Sequence, residues 1–121
     1  MLLSLQIENY ALIRSTNINF SQGFTSICGE TGAGKSILLG ALALVLGQRV
    51  DSEVLLDKEK KCFIEAVFSI SNRLQPFFED NDLDFDNEST FRREILPNGK
   101  SRAFINDTPV SLSVMKQIGD C

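Results

Sequence analysis

The run Gly29-Glu30-Thr31-Gly32-Ala33-Gly34-Lys35-Ser36 fits the pattern G-x-x-x-x-G-K-[ST] at every fixed position. Polyphosphate needs these residue types. Glycines at 29, 32 and 34 let the backbone curl with positive φ and bring N–H groups close to phosphate oxygens, with no Cβ in the way. A helix expected to begin at Lys35 aims its free N–H groups and the positive end of its dipole at the same place. Lys35 is the candidate catalytic residue, a mobile positive charge between the β and γ phosphates. Ser36 offers its hydroxyl to Mg²⁺ and is the candidate metal ligand. Residues 29 to 36, with Glu30, Thr31 and Ala33 between the fixed positions, are the expected nucleotide site. The motif specifies a nucleoside triphosphate and leaves the base open.

Hydrolysis asks for more than a phosphate cradle. It needs an acid that holds Mg²⁺ and a residue that orients the nucleophile. The usual source of the acid is an Asp closing a run of four apolar strand residues. Asp51, Asp57 and Asp107 all follow mixed or polar segments instead. The rest of a hydrolytic site is expected beyond Cys121, so these residues alone are expected to be inactive.

The elements that must position the loop can be read from periodicity. Leu3 to Glu8 alternates with period two, as a half-buried strand does, and Asn9-Tyr10 reads as the turn after it. A second strand is expected from about Leu12 to Phe20, and Ser21-Gln22-Gly23 as a short hairpin connection. Phe24 to Cys28, apolar on both faces, reads as a central strand leading into the loop. The helix from about Lys35 to Leu46, stopped by Gly47 at C′, has no polar face between Ile37 and Leu46. Such a helix is covered on more than one side, either by this domain or by further parts of a larger protein. Residues 48 to 59 read as loop, Lys61 to Ser71 as a strand, and 73 to 81 as a short helix with Phe77 and Phe78 inward. Thr90–Leu96 and Lys100–Asn106 form a hairpin around Pro97-Asn98-Gly99, with positive φ expected at the Asn-Gly pair. Asp107-Thr108-Pro109 is expected to end the second strand. Ser111 then caps a last helix with Leu112, Met115 and Ile118 on one face. The chain stops soon after, as if cut.

Of 121 residues, 43% are apolar and 23% charged, which excludes a disordered chain and suits one domain over residues 1–121. The longest apolar run, Ile37 to Leu46, is too short for a membrane span, and Met1 to Leu5 lacks the basic region of a signal peptide. A cytoplasmic protein with no membrane partner is expected. Cys28, Cys62 and Cys121 make no C-x-x-C pair and there is no His, so reduced thiols are expected in place of zinc ligands or disulfides. The net charge of −4 is local in origin. Six acids lie between Glu79 and Glu88, and the remainder carries 10 acids and 12 bases. Counted as a calcium loop from Asp80, that stretch puts Phe85 and Phe91 where Gly and Glu are needed, so it reads as a solvated acidic loop.

The strands before the loop, together with Gly-Glu-Thr-Gly-Ala-Gly-Lys-Ser-Ile-Leu, resemble the first lobe of ABC-type ATPase heads of the SMC class. Leu5-x-Ile7-x-Asn9-Tyr10-Ala11-Leu12-Ile13, Leu46-Gly47-Gln48-Arg49, Arg92-Arg93-Glu94-Ile95 and Ser101-Arg102-Ala103-Phe104-Ile105-Asn106 narrow this. They resemble the N-terminal segment of the RecN family of bacterial DNA repair ATPases. The resemblance implies an α/β (α+β) fold: a partial P-loop NTPase head lobe, with a mixed sheet around the P-loop helix and an antiparallel hairpin. It implies ATP with Mg²⁺ as ligands and a role in repair of DNA double-strand breaks and recombination at the bacterial nucleoid. The partners implied are the C-terminal half of the same head, a second head in an ATP-dependent dimer, and DNA through the full-length protein. The glutamine loop, coiled coil, ABC signature and Walker B acids of the family are not in this sequence.

By the same resemblance Arg49 stands like an arginine of a loop near the nucleotide, against the reading of an ordinary exposed arginine. Asn9 and Tyr10 are candidates to approach the adenine, or else a plain turn. Arg92, Arg93, Lys100 and Arg102 are candidates for DNA phosphates, or else a solvated hairpin face. Two other functions remain open on the residues. One is a complete P-loop small-molecule kinase, although two strands precede the loop strand and an acceptor site is not evident. The other is a scaffold module that only senses nucleotide.

Overall fold

In the computed structural model, residues 2–11, 13–19, 32–49 and 52–119 are described. The alternation at the N-terminus becomes β1 (Leu2–Tyr10), with Leu5 and Ile7 buried. β2 (Ile13–Asn19) follows, then α1 (Gly32–Val45), β3 (Cys62–Ser69), α2 (Gln75–Asp80), β4 (Glu88–Ile95), β5 (Ser101–Ile105), β6 (Thr108–Val110) and α3 (Leu112–Gly119). The described strands form a six-stranded sheet in the order β2-β1-β3-β4-β5-β6. Every pairing among the described strands is antiparallel.

Register builds the core row by row, because side chains along a strand alternate between the two faces. Leu5, Ala66, Phe91 and Ile105 align across four strands, and so do Ile7, Ile64, Arg93 and Ala103. This inner face is packed by α1 through Ala41, Leu44 and Val45 and by α3 through Met115 and Ile118, all buried. The outer rows are polar apart from one phenylalanine each: Gln6, Glu65, Arg92 and Phe104 in one, and Glu8, Phe63, Glu94 and Arg102 in the next.

Several elements depart from the sequence reading. Asn9 and Tyr10 belong to β1, and the chain turns one residue later at Ala11, which has φ +51°. α1 starts at Gly32, three residues before the expected Lys35, so Gly32 and Gly34 are helical and not in the positive-φ region. Two glycines do not break a helix that Ala41, Leu44 and Val45 anchor in the core. Asp107-Thr108-Pro109 does not end the sheet. Asn106 (φ +50°) and Asp107 (φ +66°) form a two-residue turn, and β6 pairs Thr108 with Ile105. Pro109 is tolerated there because β6 is an edge strand, where a missing N–H removes nothing from the ladder. In the hairpin before it, Gly99 (φ +88°) carries the positive φ without Asn98. The Leu96 carbonyl accepts from the Gly99 N–H at 2.9 Å, placing Pro97 and Asn98 at the centre of the turn.

Other expectations hold. Gly47 has φ +107° and ends α1 in a Schellman motif, with Gln48 N–H on the Ala43 carbonyl and Gly47 N–H on that of Leu44. Ser111 Oγ accepts from the Val114 N–H at 3.2 Å, the expected cap of α3. Phe78 is fully buried while Phe77 is only partly so. The acids Glu79, Asp80, Asp82, Asp84, Asp86 and Glu88 are exposed, as a solvated loop requires. The expected connection at 21–23, the central strand at 24–28, Cys28 and Cys121 lie outside the described residues.

α1 is not wrapped on all sides. Leu39 is 56% exposed. Among the described residues no helix is long and apolar enough to cross a membrane.

Candidate functional site

Of the eight motif residues, Gly29, Glu30 and Thr31 lie outside the described residues. Gly32 to Ser36 form the first turn of α1. The first four N–H groups of a helix have no partner within it, and the aligned peptide dipoles place roughly half a positive charge there. No acidic residue occupies that first turn to compete for the charge. The 14 residues of α1 span roughly 21 Å, so its opposite end is remote from the motif.

That far end is held by Arg93, which is fully buried. Its Nη1 donates to the Leu44 carbonyl at 2.8 Å and to the Gln48 carbonyl at 2.7 Å. Its Nη2 donates to Ser101 Oγ at 3.1 Å. Nε has no partner among the described residues. Burial pulls the Arg93 guanidinium below its ordinary value, and the neighbouring Cys62 acts in the opposite sense. Arg93 is thus no candidate for DNA phosphates. The signal was in the register: period two puts Arg93 inward between Phe91 and Ile95, at a position the core otherwise fills with apolar groups.

The rest of the basic hairpin lies outward but is not free charge. Arg92 sits 4.3 Å from the centre of the Phe104 ring, and approaches Asp107 at 3.2 Å, Glu94 at 3.7 Å and Glu65 at 3.8 Å. Glu94 also meets Lys61 at 3.4 Å and Arg102 at 4.0 Å. Lys100 is exposed at the hairpin tip. The face is a mixed ion network, which disfavours it as a phosphate-binding patch.

Asn9 and Tyr10 are committed to structure. Asn9, at φ +57°, donates from Nδ2 to the carbonyls of Asp57 (3.0 Å), Lys60 (2.9 Å) and Lys61 (3.3 Å) and accepts the Asp57 N–H at 2.6 Å. It ties down the loop before β3. Tyr10 is buried against α1 at Gly40, and burial raises its phenol above the usual value, with Cys62 adding to the rise. Arg49 is exposed and lines a cleft of about 700 Å³ with Gln48, Ser113 and Lys116 at the C-terminal end of α1. It follows the end of α1 opposite Gly32. A second cleft, of about 620 Å³, is lined by Asn9, Arg14, Leu56, Asp57, Lys58 and Lys60.

The AAA domain model covers residues 4–117. The chain belongs to the AAA domain family. Within it, the chain is 43% identical to DNA repair protein RecN of Vibrio cholerae over 98% of its own length. It spans only about a fifth of that relative, 22% of its length. Among solved structures, one described under ATP-driven dimerization and DNA-stimulated activation of SMC ATPases superposes with TM-score 0.73 at 24% identity, covering 97% of this chain and 76% of that one. The recombination mediator protein RecF superposes with TM-score 0.67 at 19% identity over 95% of this chain and 29% of its own. This AAA domain therefore has the fold of SMC and RecF head lobes.

Proposed function

We propose that this AAA domain is the ATP-binding lobe of a RecN-like ATPase that acts in bacterial repair of DNA double-strand breaks. The observation that carries the reading is the junction of motif and helix: Gly29 to Ser36 matches the phosphate-loop pattern, and α1 begins within it at Gly32. The donor set fits MgATP. Backbone N–H groups of the first turn and Lys35 would hold the phosphates, and Ser36 would supply a hydroxyl to Mg²⁺. Held there through the Ser36 hydroxyl, Mg²⁺ would supply charge neutralisation for the phosphates. The chain's own residues bind and orient; the acid and signature segments of hydrolysis belong to the remaining four-fifths of a RecN-sized protein. Its expected partners are the other half of the same head, a second head and DNA, in the bacterial cytoplasm.

The similarity to RecN over 98% of the chain supports the repair assignment. A stand-alone kinase is disfavoured, because the fold is that of a head lobe with an antiparallel sheet. The test is MgATP binding and turnover by the 121-residue chain beside Lys35→Ala. Binding lost in the variant, without turnover in either, is expected. Steady turnover abolished by Lys35→Ala would overturn the reading in favour of a self-sufficient enzyme.

A further inference from the structure

A buried guanidinium is costly unless its position returns something, since a charge taken out of water needs full compensation. Arg93 is fully buried in a register row between Ile7 and Ile64 on one side and Ala103 on the other. A methionine or leucine would fill the space. What the guanidinium adds is directional. Two of its bonds end on the carbonyls of Leu44 and Gln48, at the terminus where α1 leaves its C=O groups without helical partners. The third ends on Ser101 of the neighbouring strand β5. Arg93 itself belongs to β4, so one planar group ties two strands to the negative pole of the helix.

The Leu44 carbonyl already accepts the Gly47 N–H at 3.1 Å, and Arg93 takes its second lone pair. The fork geometry of Arg makes this hold rigid in a way Lys cannot copy, because an ammonium is a point charge without a fixed plane. A helix fixed at one end swings least at that end, so its rotation about the hold displaces the far end most. The far end is Gly32 to Ser36.

We infer that Arg93 is a positioning residue for the phosphate loop, acting through the axis of α1 from the pole opposite the nucleotide. The inference rests on the ATP-binding reading and deepens it. Arg93 bonds the end of α1 opposite Gly32 and would act without touching nucleotide or metal. It sets where the first-turn N–H groups point, and displacing such donors by about 1 Å is enough to weaken a site markedly.

The test uses the intact chain with Arg93→Lys, Arg93→Met and Ser101→Ala. MgATP and inorganic tripolyphosphate affinities are measured at a temperature where circular dichroism shows each variant fully folded. The ³¹P shifts of bound ATP are recorded at saturation. Arg93→Lys keeps the charge and loses the fork; a drop of about tenfold for both ligands, with shifted β and γ signals, is expected. Ser101→Ala, which removes one bond of three, is expected to cost a few-fold. A merely structural residue would lower thermal stability and leave affinity and phosphorus shifts of the folded protein unchanged. Should Arg93→Met not fold, Arg93→Lys and Ser101→Ala decide the matter. Affinities within twofold of the wild type in the folded variants would overturn the positioning role alone. Absence of MgATP binding by the wild type would overturn the nucleotide reading, and the positioning role with it.

Discussion

The Tyr10 hydroxyl occupies the space that a Cβ on Gly40 would need: the two would be 2.5 Å apart. A glycine in the middle of α1 costs about 1 kcal/mol of helix propensity relative to alanine, and the ring of β1 explains why it is there. Gly40→Ala is expected to destabilise by about 1 kcal/mol net, the overpacking outweighing the propensity gain. Removing the hydroxyl leaves the next atom, Cζ, at 3.7 Å, an ordinary contact. Gly40→Ala in a Tyr10→Phe background should therefore stabilise. Urea denaturation of the four proteins gives the coupling; additive effects would show that the hydroxyl is not the obstacle.

The two residues of the β5–β6 turn share a conformation and differ in what they hold. Asp107 is exposed, and its ion pair with Arg92 should be worth little. Asp107→Gly removes the cost of a left-handed side chain and is expected to be neutral or stabilising by up to about 1 kcal/mol. Asn106 also bonds the Asp84 carbonyl at 3.0 Å, Ser89 Oγ at 3.1 Å and the Thr90 N–H at 2.8 Å. Asn106→Gly keeps the turn and loses all three, which should cost about 2 kcal/mol. Equal melting temperatures for the two variants would contradict this division.

Asn9 is a stronger case of the same kind. Its amide faces three carbonyls, so an acceptor-only group cannot replace it. Asn9→Asp, although isosteric, should lose about 2–4 kcal/mol at neutral pH, as much as Asn9→Ala or more. Amide exchange of residues 57–61 should accelerate in both variants. A wild-type stability for Asn9→Asp would mean that the loop is held by other contacts.

These cases show where the sequence is legible and where it is not. Gly47 as C′, Ser111 as N-cap and the outline of β3 to β5 follow from local chemistry, which needs only neighbouring residues to be read. For Arg93, residue type suggests a surface while register places it inside, and only the helix carbonyls across the core resolve that conflict. β6 is hidden in the sequence because Pro109 signals the end of a strand unless the strand is known to be an edge. Asn9 hid in the same way: a positive-φ residue inside a strand depends on a loop about fifty positions away. The phosphate motif itself was plain, since its function is written in contiguous residues, although the start of α1 fell three residues early.

Cys62 supplies a prediction in pH. Burial pushes its thiol up from 9.0 to about 12, with Arg93 opposing part of the rise. The folded chain thus holds a proton that the unfolded chain releases between pH 9 and 12. The group's contribution is complete below pH 9 and is lost as pH rises towards 12, by about 1.4 kcal/mol per pH unit. Tyr10, raised chiefly by burial, adds a slope of the same sign, and the part due to burial is shared by wild type and variant. The useful quantity is therefore the difference between wild type and Cys62→Ala in urea denaturation at successive pH values. Cys62→Ala should be the less stable protein at pH 7, by about 1 kcal/mol for the small cavity, and the two curves should meet within about one pH unit above pH 9 and then cross, leaving the variant the more stable. Parallel curves throughout that range would show that the thiol ionises as readily in the fold as out of it.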